Sequence, residues 1–191
     1  MLRADALAAI YPDLRDRIVV TIMGAVAVEL FTLGHQPNFF YLEHAMGLAS
    51  SMGLGIALSQ PAQQVVVLDG DGSLLMNLGT LSTLARYQPA NLLHIVFDNH
   101  SLLSVGGFPT ATATGTDLAG IASASGIRRV ARVDAPDALA REVRAALDAR
   151  ELATIVVQVE AVGPASFQMD LPLLENRFQF KRYLASLSQP S

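Results

Sequence analysis

Two short segments hold residue types suited to binding small anions and hard cations. The first, Gly70-Asp71-Gly72-Ser73, closely follows the apolar run Val65-Val66-Val67-Leu68. Gly70 and Gly72 let backbone approach a ligand closely, and the amides of Gly72, Ser73 and Leu74 can point at an anion. Asp71 supplies a hard oxygen of the kind taken by Mg²⁺ or Ca²⁺. The second segment, Asp98-Asn99-His100-Ser101, follows another apolar run at 92–97, and its Asn99 is placed to share one cation with Asp71.

Each segment alone is equally readable as a polar turn. Their spacing makes the pair informative. About 25 residues separate Gly72 from Asp98, which holds one helix and one strand, the crossover that sets two parallel strands side by side. Both turns would then lie beyond the carboxyl ends of the strands, where open parallel sheets bind their ligands.

The elements that must position these turns are marked by hydrophobic pattern. Near-continuous apolar runs at 18–22, 65–68, 92–97, 130–133 and 155–159 predict strands covered on both faces. Helical patterns occupy 24–33, 44–58, 75–87, 117–125 and 138–149, with an amphipathic tail at 171–187. Such alternation predicts an α/β fold: a doubly wound, mostly parallel sheet with helices on both faces. Asp117 is a predicted N-cap, and Asp134 before Ala135-Pro136 predicts another helix start. No repeat or linker interrupts the chain, so one domain over 1–191 is expected.

Composition narrows the function classes. The chain has 191 residues, is 51% hydrophobic and 16% charged, and carries a net charge of −4. Its apolar fraction fits either a generous core or a face kept for a partner subunit. Without cysteine there is no disulfide or thiolate metal site. No basic stripe invites nucleic acid, no run nears the roughly 20 apolar residues that span a bilayer, and the N-terminus lacks a signal-peptide core. A cytoplasmic protein, with neither nucleic acid nor membrane as partner, is expected.

Taken with their flanks, the two turns resemble the thiamine-diphosphate-dependent decarboxylases, in particular the sulfopyruvate and phosphonopyruvate decarboxylases. The resemblance rests on Gly70-Asp71-Gly72 with Asp98-Asn99, on Met46-Gly47-Leu48-Ala49-Ser50-Ser51, on Gly79-Thr80-Leu81-Ser82-Thr83 and on Ser104-Val105-Gly106-Gly107. It implies thiamine diphosphate and Mg²⁺, the ion held by the Asp71 carboxylate, the Asn99 side-chain oxygen and the Ser101 carbonyl, with diphosphate oxygens and water completing an octahedron. Gly70, Gly72, Ser73 and Ser101 would border the diphosphate. In the segment Phe39–Gly47, Met46 would be the apolar wedge that bends the cofactor, and the His44 carbonyl would accept from its amino group.

The resemblance also implies a missing part. The glutamate that activates this cofactor sits on a pyrimidine-binding domain, for which 191 residues leave no room. A separate pyrimidine-binding subunit is expected, and a homodimer of this chain is plausible. Glu29 reads instead as a salt-bridged or solvated helix residue. His44 and His100 fall in the candidate turns as possible proton shuttles, whereas His35 and His94 read as loop and sheet residues.

Departures from the family bear on the substrate. Asp98 stands where asparagine is usual and is expected to support its turn. Met23-Gly24 and Ala27-Val28-Glu29-Leu30 replace a Thr-Gly pair and a Ser-Arg-Glu-Leu run, and Phe108 replaces glutamine. The arginine position is thus Val28, and a 2-oxo acid less polar than sulfopyruvate or phosphonopyruvate is expected. The competing readings are an acetolactate-synthase-like carboligase or oxidoreductase subunit, and a non-catalytic cofactor-binding assembly protein. A generic nucleotide-binding domain is disfavoured, since no Gly-x-Gly-x-x-Gly or Walker loop follows a strand.

Overall fold

A computed structural model describes residues 1–187. Six parallel strands form one sheet: β1 (Ile18–Thr21), β2 (Phe39–Tyr41), β3 (Val65–Gly70), β4 (Leu92–Asp98), β7 (Arg129–Val133) and β8 (Ala153–Gln158), in the order β2-β1-β3-β4-β8-β7. β1 and β4 are buried at every position, and β3 at all but Gly70. That burial is why these segments show no polar alternation. All five expected strands are present.

β2 was not among them. It is three residues long at the sheet edge, and the backbone groups on its unpaired side are satisfied from far along the chain. Asn176, in α8 (Leu173–Leu187), accepts from the Tyr41 amide at 3.1 Å and donates to the Phe39 carbonyl at 2.8 Å. One side chain thereby substitutes for the neighbouring strand that the edge lacks.

The helical layers comprise α1 (Arg3–Leu14), α2 (Ala25–Leu33), α3 (Ala49–Ser59), α5 (Gly79–Tyr87), α6 (Leu118–Ala124) and α7 (Pro136–Ala149). α1 packs on α2 and α7, and α5 on α3 and α6. α1 was not expected, and Pro12 within it masks the pattern. Its buried residues Ala6, Leu7, Ile10 and Leu14 nonetheless form one helical stripe.

Asp117 caps α6 as predicted, accepting from the Gly120 amide at 2.9 Å. Asp134 does not cap α7, whose N-cap residue is Ala135.

Two helix expectations need correction, and both concern the site. The pattern at 75–87 comprises two helices, because α4 (Asp71–Met76) begins directly at the Gly-Asp-Gly segment and ends at Asn77. The pattern at 44–58 contains a helix only from Ala49 onward. Residues before it turn irregularly, with His44 at φ 53° and Gly47 at φ 84°. A Cβ on Gly47 would lie 3.2 Å from that of Asn77 and 3.3 Å from that of Met76. Close approach of this turn to the α4–α5 break therefore requires glycine.

Candidate functional site

The sheet order reverses direction at β1, with β2 on one side and β3 on the other. In doubly wound sheets, the crevice beyond the carboxyl ends at such a point receives the ligand. An open cleft lies there. Ile22, Met23 and Val26 form an apolar side, while Asp71, Asn99 and Ser101 are among its polar residues.

β3 and β4 bring the two predicted turns together. Asp69 is in register with Val96 and Gly70 with Phe97, so Asp71 and Asp98 leave the sheet side by side. The Gly-Asp-Gly segment is the first turn of a short helix rather than a free loop. A Cβ on Gly72 would come within 2.4 Å of Leu102 Cδ2, so this glycine admits the following loop to the site.

That loop supplies donors absent from both motifs. β5 (Ser101–Leu102) and β6 (Phe108–Pro109) form a small hairpin, and the chain leaving it carries Thr110 and Thr112 inward. The Thr110 hydroxyl donates to Asp71 Oδ2 at 2.6 Å, and that of Thr112 to Asp98 Oδ1 at 2.8 Å. Asp98 Oδ1 also accepts from the His100 amide at 3.2 Å, and Asp98 Oδ2 from Gln158 at 2.8 Å. Both Asp98 oxygens are therefore engaged by the protein. The sequence hint for these threonines is the alternation Thr110, Thr112, Thr114, Thr116.

Burial raises the Asp71 carboxyl above the usual carboxylate range, opposed by the Thr110 hydroxyl, with the negative charge of Asp98 adding to the rise. Both threonine contacts fall on Oδ2, and Oδ1 has no side-chain partner among the described residues. The Gly72 backbone amide also favours the ionised form, and a buried carboxylate with no side chain on Oδ1 keeps a lone pair that suits a cation. Asn99 Oδ1 accepts from the Ser101 amide at 2.9 Å, which leaves its second lone pair. Among the described residues, no three His, Cys, Asp or Glu side chains cluster as a metal site. A carboxylate, an amide oxygen and a backbone carbonyl instead form an all-oxygen set fitting a hard divalent ion.

The turn at 43–48 is held against α4 from both sides. The Gly47 amide donates to Ser73 Oγ at 3.0 Å, and Asn77 Nδ2 donates to the Gly47 carbonyl at 2.9 Å. Met46 is partly buried against the core and lines the cleft. The His44 side chain is exposed, as is nearly half of His100, whose Nδ1 lies 2.9 Å from Thr112 Oγ1. Neither histidine lines the cleft.

Of the two roles expected for Glu29, the structure shows the salt-bridged one. Glu29 is buried and ion-paired with Arg3, whose Nε and Nη2 lie 2.9 Å from its two oxygens. Arg3 lines the cleft, whereas Val28 is buried in α2 away from it and Phe108 is exposed on the hairpin. Loss of arginine at position 28 therefore does not leave the cleft without a cation. His94 and Asp69 are wholly buried, with Nε2 3.4 Å from Oδ2.

Comparison with known proteins gives the same picture. Residues 20–157 match the family model "Thiamine pyrophosphate enzyme, C-terminal TPP binding domain". A phosphonopyruvate decarboxylase from Streptomyces viridochromogenes is 42% identical over 146 residues, covering 76% of this chain and 36% of that one. The sulfopyruvate decarboxylase subunit beta of Methanocaldococcus jannaschii is 31% identical over 179 residues, covering 93% of this chain and 94% of that one. Benzoylformate decarboxylase from Polynucleobacter necessarius, 19% identical, superimposes with a TM-score of 0.67 over 84% of this chain and 33% of its own, which shows the shared fold. The chain spans about a third of the phosphonopyruvate decarboxylase and nearly the whole of the beta subunit. Its sequence match, its strand order and the cleft at the switch point place the chain in the thiamine pyrophosphate enzyme family, as a C-terminal TPP binding domain.

Proposed function

We propose that the whole chain acts as one domain, the diphosphate- and Mg²⁺-binding subunit of a thiamine-diphosphate-dependent 2-oxo-acid decarboxylase. The observation that carries this reading is the convergence of Asp71, Asn99 and Ser101 on one cleft at the switch point of the sheet.

Asp71 Oδ1, Asn99 Oδ1 and the Ser101 carbonyl would hold Mg²⁺, and Gly70, Gly72, Ser73 and Ser101 would border the diphosphate. Met46 would support the bend of the cofactor, and the His44 carbonyl, in the turn beside the cleft rather than among its lining residues, would accept from the amino group of a cofactor that extends past Met46. When bound, thiamine diphosphate supplies the electron sink for loss of carbon dioxide from a 2-oxo acid. The chain itself binds, orients and excludes water. Ile22, Met23 and Val26 give the cleft an apolar side, which lowers the local dielectric and strengthens the contacts made there.

The acid that activates the cofactor would come from a separate pyrimidine-binding subunit. Support comes from the Methanocaldococcus relative, named a subunit beta and matched along 94% of its length. Leu48 and Met76, half or more exposed on either side of the Gly47 turn, give that subunit an apolar rim to cover. A homodimer of this chain would form the core of the assembly through a different face.

Co-expression with a pyrimidine-binding chain, addition of thiamine diphosphate and Mg²⁺, and a screen of 2-oxo acids tests the proposal. Carbon dioxide release that needs both chains is expected. Absence of cofactor binding by the assembled pair rejects it, and formation of a coupled product without aldehyde favours the carboligase reading.

A further inference from the structure

Arg3 opens α1, yet its side chain is only 4% exposed and lines the cleft near Ala25, Val26 and Ser104. It is clamped on two sides. Nε and Nη2 meet the two Glu29 oxygens, each at 2.9 Å, and Nη2 also donates to the Val162 carbonyl at 3.0 Å. A guanidinium carries five N–H donors in a rigid plane. These contacts use the donors on Nε and Nη2, while Nη1 has no hydrogen-bond partner among the described residues.

The same part of the cleft contains the start of α2. That helix has nine residues and no side-chain cap on its N-terminus. Its N-cap Gly24 and first residues Ala25 and Val26 have no polar side-chain atom with which to satisfy the leading amides. Arg3 is the one cationic side chain among the residues lining the cleft.

We infer that Arg3 is an oxyanion-binding residue of this cleft, holding a phosphoryl or carboxylate oxygen through Nη1 while Glu29 and the Val162 carbonyl fix its plane. The inference rests on the reading of the cleft as a thiamine-diphosphate site. Two ligand groups present this chemistry: the diphosphate of the cofactor and an anionic group of the 2-oxo acid. A pair that only tied α1 to α2 would leave ligand affinity unchanged when replaced by a neutral hydrogen-bonded pair, and the experiment turns on that difference.

Removing Arg3 alone would strand the Glu29 carboxylate, so the main variant is Arg3→Gln with Glu29→Gln. Arg3→Lys is the second; it retains the charge beside Glu29 and loses the fork. Each is prepared with the partner subunit, its fold is checked by circular dichroism, and it is titrated calorimetrically with thiamine diphosphate and with inorganic diphosphate, both with Mg²⁺.

A loss of about tenfold or more in affinity for both probes is expected if Nη1 holds the cofactor. Unchanged affinity for the probes with a KM for the 2-oxo acid raised about tenfold assigns the donor to the substrate instead. Folded variants that match wild type in both measurements overturn the inference and leave the proposed function standing. Wild-type complex that binds neither probe removes both. Should the double variant fail to fold, Arg3→Lys decides by the same criteria.

Discussion

The Thr110 hydroxyl lies 2.6 Å from Asp71 Oδ2, although the two residues are 39 positions apart. Thr112 stands between this pair and Asp98, 3.2 Å from Asp71 Oδ2 and 2.8 Å from Asp98 Oδ1. Each hydroxyl has a single proton to give. Assigned to the shortest contacts, Thr110 serves Asp71 and Thr112 serves Asp98, so two neighbouring carboxylates are held apart by two hydroxyls. This arrangement turns Asp71 Oδ1 into the oxygen available to a cation.

Thr110→Val keeps the shape and removes the donor. A hydrogen bond to a charged group contributes about 1.5–3 kcal/mol, so affinity for Mg²⁺ with thiamine diphosphate should fall about tenfold or more. Thr110→Ser should retain most of it. Calorimetry on the three proteins checks this; equal affinities would show that Thr110 does not orient Asp71.

Asp71→Asn should separate binding from stability. Burial and the charge of Asp98 raise the Asp71 carboxyl, opposed by Thr110, so its ionised form is the less favoured one in the folded protein. Below the ordinary carboxylate range, folded and unfolded states both hold the proton. Between that range and the raised one only the folded state does, so the stability fully present below the ordinary range falls with rising pH and is lost once pH has passed through the raised range. The cation-free asparagine variant should lack that decline and equal or exceed wild type in stability near neutrality, while losing Mg²⁺-dependent cofactor binding. Denaturant midpoints measured across pH without Mg²⁺ test the sign; a variant less stable than wild type at neutral pH contradicts it.

How far the site could be read from sequence follows from where its parts lie. Asp71 and Asn99 were legible because each closes a buried β-branched strand, and their spacing fits one crossover. Thr110, Thr112 and Arg3 were not, since a hydroxyl or guanidinium outside a motif announces its target only once tertiary contacts exist. β2 was hidden for a similar reason: three residues carry little periodicity, and their edge is completed by Asn176 from the last helix. The helical start at Asp71 was obscured by two glycines that read as a turn, although Gly70 ends the strand in extended conformation and Gly72, packed against Leu102, is already helical.

Gly47→Ala tests the coupling between the Met46 turn and α4. Alanine at φ 84° is strained, and its methyl group would press on Asn77 and Met76. A stability loss of about 1–3 kcal/mol is expected, together with weaker cofactor binding as the turn carrying Met46 and the His44 carbonyl shifts. Thermal melts and calorimetry read the two effects separately. A destabilised variant with unaltered cofactor affinity would dissociate the turn from the site.

Thr154 offers a test in the sheet interior. It is wholly buried on β8, in register with His94 on β4, and its hydroxyl and His94 Nδ1 both lack a hydrogen-bond partner among the described residues. A buried hydroxyl without a partner costs stability, and valine has the same shape with a methyl group suited to a packed strand. Thr154→Val should therefore stabilise the protein by about 1 kcal/mol in chemical denaturation, with cofactor affinity unchanged. If the variant is instead destabilised by a similar amount, an ordered water joins the hydroxyl to His94, and the Asp69–His94 contact beneath the Gly-Asp-Gly turn extends across three strands.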